Sequence, residues 1–177
     1  MSRLAKKPIP VPSKVSVSVA DGAVTVKGSK ETLTRKLHSF VIVEVGNEGV
    51  TIAPKNNTRL ARALTGTFAS HIKAMITGVE TPFKKTLILN GVGYKVELKG
   101  KELVFSVGFS HQVHLTIPEG ITSTVNKNVI TVEGANKEQV GQFSAEIRAV
   151  KPPEPYLGKG IKYDDEVILR KQGKKAV

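Results

Sequence analysis

The 177-residue chain contains no cysteine and no tryptophan, and aromatic residues make up only 5% of it. The lack of cysteine excludes a disulfide framework, a thiolate zinc site, an iron–sulfur cluster and a cysteine nucleophile. No apolar run approaches the roughly 18 residues that a membrane span needs. The start, MSRLAKKPIPVPSK, is basic and proline-rich without a following hydrophobic stretch, which does not fit a secretory signal. Acidic residues are also scarce, 15 against 27 Lys and Arg, for a formal net charge of +12. Length and an apolar fraction of 40% suit one large domain or two small ones with an ordinary core.

The positive charge is uneven. Residues 1–14 carry Arg3, Lys6, Lys7 and Lys14 and no acid. Residues 148–177 carry eight bases against Glu154, Asp164, Asp165 and Glu166. Each end holds +4, so the ends together hold +8 of the +12. Basic ends on a near-neutral body point to contact with a polyanion at defined places.

Hydrophobic periodicity predicts an α+β chain. Val15 to Val19 alternate, Asp21-Gly22 turns, and Val24 and Val26 alternate again, which is a hairpin. Residues 40–45 and 50–52 form a second pair about Asn47-Glu48-Gly49. Leu60, Leu64, Phe68, Ile72 and Ile76 then recur every four residues, predicting a helix over Thr58–Thr77, ended by Gly78. A domain boundary is expected near 79–83. Beyond it, strand patterns cover Leu87–Leu98, kinked at Gly91 and Gly93, then Leu103–Val107, Val113–Ile117 and a hairpin about Lys127-Asn128. A second helix is expected over Lys137–Ala149, stopped by Pro152-Pro153. The domains expected are 1–81 and 82–177.

A shift of 106 residues lays Pro12 on Pro118, Val19 on Val125, Thr25 on Thr131, Val26 on Val132 and Gly28 on Gly134. This suggests two related halves.

Catalytic constellations are not assembled. His111 and His114 are three apart on a strand pattern, hence on opposite faces and ill placed to share a metal. Gly108-Phe-Ser-His-Gln112 lacks the second glycine of a nucleophile elbow. Gly91-Val-Gly93 lacks the third glycine of a dinucleotide fingerprint. Asp164-Asp165-Glu166 is the one acidic run; it reads as a solvated loop before a strand rather than a Mg²⁺ site for phosphodiester chemistry. A free-standing nucleic-acid binder and a metal-dependent phosphodiesterase are the competing functions.

The most informative segment is Pro152–Tyr163, PPEPYLGKGIKY. Gly158 and Gly160 flank Lys159, so that backbone and ammonium can approach a phosphate without a Cβ in the way. Tyr156 and Tyr163 offer rings for stacking on a base. Lys162, then Arg170, Lys171, Lys174 and Lys175, add charge. The loop falls outside both hydrophobic periodicities, so a bulky residue at Gly160 is expected to leave folding intact.

The same segment, continued as DDEVILRKQGKK, resembles the C-terminal signature of the bacterial ribosomal large-subunit protein six family. VPSKVSV (11–17), VTVKG (24–28), Gly66-Thr67, GVGYK (91–95), VGFSH (107–111) and KEQVGQ (137–142) follow in family order. The resemblance implies two similar α+β domains from an internal duplication, each a mainly antiparallel sheet with a helix packed on one face. It also implies a structural constituent of the large ribosomal subunit in the cytoplasm, with no catalytic activity, cofactor, metal, membrane or small-molecule substrate. The partners implied are 23S-type ribosomal RNA near the sarcin–ricin loop and the stalk base, neighbouring large-subunit proteins, and translation elongation factors in proximity. The C-terminal domain would carry the RNA contact, through Tyr156, Gly158, Lys159, Gly160, Lys162, Tyr163, Arg170, Lys171, Lys174 and Lys175. Three positions depart from the family pattern: Leu157 where a lysine is usual, Phe68-Ala69 where an arginine is frequent, and Gln112 in place of a proline.

Overall fold

The computed structural model describes residues 7–29, 31–46 and 49–173. The chain divides into two compact units, Met1–Pro82 with Ala135–Lys137, and Phe83–Gly134 with Glu138–Val177.

The first unit runs β1 (Ser16–Ala20), β2 (Ala23–Lys27), β3 (Thr32–Lys36), β4 (Val41–Gly46), β5 (Gly49–Pro54) and α1 (Arg59–Glu80). β1-β2-β3 form one antiparallel sheet and β4-β5 a second. Alternation works as the residues suggest: Val24 and Val26 are fully buried, with Thr25 between them turned outward to Thr34. Asp21-Gly22 makes the first hairpin turn with both residues at positive φ. Residues 47 and 48 of the second expected turn lie outside the described residues.

α1 is capped by Thr58, whose hydroxyl accepts from the Ala61 amide at 3.2 Å. Two details differ from expectation. Leu60 is 54% exposed. A strict four-residue spacing advances about 40° per step on a helix of 3.6 residues per turn, so Leu60 and Ile76 point in different directions. The buried face is instead Ala61, Thr65, Phe68, Ala69, Ile72, Met75, Ile76 and Val79, which mixes threes and fours. Gly78 does not end the helix either; it is buried within it. Pro82 sets the end, because the residue before a proline avoids helical dihedrals, and Thr81 sits at φ −131°, ψ 108°.

The second unit runs β6 (Phe83–Asn90), β7 (Lys95–Lys99), β8 (Glu102–Ser106), β9 (Val113–Thr116), β10 (Ile121–Asn126), β11 (Val129–Gly134), α2 (Lys137–Val150) and β12 (Gly160–Tyr163). One sheet has the order β10-β11-β6-β12 and the other β7-β8-β9. Gly91 and Gly93 do not kink a single strand: they lie in the turn that carries the chain from one sheet to the other. Leu87, Leu89, Leu103, Phe105, Ile130, Val132, Phe143, Ile147 and Ile161 form a closed core.

The duplication is real, but its register is not 106. A shift of 79 lays β1 and β2 on β7 and β8, and a shift of 80 lays β4 and β5 on β10 and β11. The sheets correspond as well, β1-β2-β3 to β7-β8-β9. In the helices a shift of 79 lays Ala61, Thr65 and Phe68 on Val140, Ser144 and Ile147. Thr65 and Ser144 are both buried hydroxyls that donate to the carbonyl four residues back, at 2.7 and 2.6 Å. The 106-residue shift superposes two valine-rich hairpins that occupy different places in the fold.

Candidate nucleic-acid interface

α2 stops because Pro152 and Pro153 supply no backbone N–H. The chain then loops out and returns as β12, which pairs with the free edge of β6. Two backbone bonds close the loop. Glu154 N–H donates to Lys159 O at 2.9 Å, and Ile161 N–H donates to Lys151 O at 2.8 Å. A third, Lys171 N–H to Pro155 O at 2.8 Å, lays the tail alongside.

This arrangement brings Tyr156, Lys159, Arg170 and Lys171 together at the surface. Tyr156 is 57% exposed, and Lys159, Arg170 and Lys171 are also exposed. The guanidinium of Arg170 lies over Gly158, 3.5 Å from where a Cβ would stand. Leu157 is 64% exposed and does not pack into the core of the unit.

Four expected site residues stand differently. Gly158 and Gly160 are buried, and their φ angles of +72° and +133° explain the glycines locally. A Cβ on Gly160 would meet Pro152 O at 2.6 Å and Lys151 O at 2.8 Å. The expectation that Gly160 lies outside the packed structure is therefore overturned: the next residue, Ile161, is fully buried in the core, and the glycine lets the strand pass under the loop. Lys162 is half-buried, its Nζ donating to Glu166 O at 3.3 Å. The Tyr163 ring packs against the core, so it is not a free stacking surface; Lys85 Nζ stands 5.6 Å from its centroid. Lys174 and Lys175 lie outside the described residues.

Glu166 was expected in a solvated acidic run. It instead receives Arg148 Nε at 2.9 Å and Nη2 at 2.6 Å, a two-pronged pair, and also the Tyr163 amide at 3.2 Å. The Arg148 hydrogen bond holds the Glu166 carboxyl below its usual range, and Glu166 in turn raises Arg148. The pair ties α2 to the turn after β12. Asp164 and Asp165 remain exposed, and no group of three or more potential metal ligands occurs among the described residues.

A second feature escaped the sequence reading. Phe109, between β8 and β9, lies beside the His111 ring, with centroids 6.1 Å apart and planes 18° from parallel. Lys151 Nζ stands 4.6 Å from the Phe109 centroid. A lone aromatic residue in a glycine–serine turn was the available signal.

Residues 11–81 and 90–164 each match the family model described as Ribosomal protein L6. The chain belongs to this family. The two matched segments start 79 residues apart, in step with the strands. The chain is 49% identical over 175 residues to a large ribosomal subunit protein uL6 from Desulfatibacillum aliphaticivorans, covering 98% of both chains. It is 47% identical to the uL6 protein of Helicobacter pylori strain G27 and 49% identical to that of Hydrogenovibrio crunogenus, covering 99% of each chain. Membership of the L6 family makes the chain a structural ribosomal protein of the large subunit, not an enzyme, and a component of a cytoplasmic particle. No helix among the described residues is long and apolar enough to cross a membrane.

Proposed function

We propose that the chain anchors large-subunit ribosomal RNA through the loop and tail of its second unit, near the sarcin–ricin loop and the base of the stalk, with elongation factors close by. We assign RNA contact to residues 82–177, and a lesser share to residues 1–81. One observation carries the reading: the Lys171–Pro155 backbone bond sets Arg170 and Lys171 beside Tyr156 and Lys159. Three cations and an exposed ring on one ridge suit a phosphate backbone with an unpaired base beside it. Lys174 and Lys175 extend the same basic run in sequence. Gly158 and Gly160 act by shaping the ridge, and Lys162 and Tyr163 by anchoring β12.

Counterion release tests this reading. If roughly five phosphates are neutralised, log affinity for large-subunit RNA should fall against log salt with a slope of about −4 to −5. A flat response would remove the ridge from consideration. Hydroxyl-radical cleavage from a probe tethered at a cysteine introduced by Leu157→Cys should cut RNA around the sarcin–ricin loop. Cleavage confined to other regions would move the site.

A further inference from the structure

We propose that Phe109, flanked by His111 and Lys151, is a stacking platform for an unpaired nucleobase of the bound RNA. The inference rests on the RNA-binding reading above and adds a place where a base, rather than a phosphate, is held.

Of the six phenylalanines, Phe109 alone is exposed, at 44%. It contributes nothing to the core of its unit, whose buried aromatic residues are Phe105 and Phe143, with Tyr94 and Tyr163 packed against them. Yet its surroundings are fixed. Gly108 turns the chain at φ +77°, and a Cβ there would come 3.3 Å from the Tyr94 ring. Tyr94 lies closer still over Gly91, where a Cβ would fall 2.5 Å from the ring. The tyrosine thus fills the space that two glycines leave open, and the turn bearing Phe109 rests on it. A ring carried on a turn set before binding leaves little backbone freedom to lose when a base arrives.

Lys151 supplies the second part. Its ammonium sits at the Phe109 ring, an attraction between cation and π-face. Its carbonyl accepts the Ile161 amide that closes the Lys159 loop. One residue therefore links the ring to the basic ridge. A nucleotide stacked on Phe109 would bring its phosphate within reach of Lys151. Every base presents a π-face, and an adjacent cation suits the phosphate that comes with it. An apolar side chain of a partner protein would need the ring but not the ammonium.

Because the chain has no tryptophan, Phe109→Trp makes the sole indole a reporter in the full-length protein. Titration with a transcript of large-subunit ribosomal RNA should quench its emission in step with binding measured by filter retention. Phe109→Ala and Phe109→Leu should each weaken binding about ten- to hundredfold with the salt slope unchanged, since stacking carries no charge. Lys151→Met should make the slope shallower by up to about 0.9. Melting temperatures should not change, because the ring is outside the core. Normal RNA binding without quenching, or full affinity for Phe109→Leu, overturns the platform and leaves the RNA-binding function standing. Loss of RNA binding by the unaltered chain would overturn both.

Discussion

The two units are built from one series of elements and differ in what frames it. In the first, the strand before the series is reduced, among the described residues, to one bridge between Ile9 and Val50. In the second, the equivalent place beside Ile130 is filled by Leu87 in the eight-residue β6. The helices diverge too. Shifted by 79, Pro152 falls on Lys73, inside α1. There the helix continues to Glu80, reaching 22 residues, whereas α2 is cut to 14. The chain released by that early stop makes the basic loop and β12, which needs β6 as its neighbour. The candidate RNA ridge therefore sits on the additions and not on the repeat itself, so the same duplicated core can carry a nucleic-acid site in one copy without carrying it in the other.

The comparison is broken most severely by separating the units. Residues 82–177 should keep affinity for large-subunit RNA within about tenfold of the whole chain, and residues 1–81 should bind at least about 100-fold more weakly, if most of the phosphate contacts lie on the ridge. Equal binding by both fragments would refute the division.

Gly160→Val should destabilise the second unit by about 2–4 kcal/mol, since the Cβ clashes with fixed carbonyls and φ is +133°. Thermal unfolding would show the loss. A folded variant that only loses RNA would restore the simpler view of the loop.

Arg148→Met should cost about 1–2 kcal/mol, between the limits for surface and buried pairs, because the two side chains are still 33% and 25% exposed. Glu166 is depressed in the folded state, so the stabilisation is complete above the ordinary glutamate pKa of about 4.3 and is lost as pH falls through the lower folded value. Arg148, shifted upward, stays charged throughout this range. The stability difference between the parent and Glu166→Gln should therefore shrink in acid, as urea titrations at several pH values would record.

On the ridge itself, Lys159→Ala should make the salt slope shallower by about 0.9, whereas Tyr156→Ala should weaken binding without changing it. The smallest change expected is a gain: Leu157→Lys should steepen the slope by up to about one counterion. Salt-dependent RNA titrations of the three variants would separate charge from stacking.

Much of the fold was legible because its information is local. Val24 and Val26, or Phe143 and Ile147, declare a face by spacing alone, and Pro152-Pro153 end a helix whatever surrounds them. The duplication was legible in kind but not in register. Short valine hairpins resemble one another, and only the order of strands within each sheet distinguishes β7-β8 from β10-β11. Within the site, Lys159 and Tyr156 could be picked out from composition. Phe109 could not, since the lysine that meets it is 42 residues away.

By itself, then, the sequence determined the α+β class, the two helices, the concentration of positive charge and the segment Pro152–Tyr163 as the place to look. Each of these follows from period, backbone chemistry or charge along the chain. Tertiary structure alone decided that Gly160 is packed under two carbonyls, that Glu166 clamps Arg148, that Tyr163 packs against the core and that Arg170 lies over Gly158. Those outcomes depend on which residues become neighbours when β12 closes against β6, and no spacing along the chain encodes them.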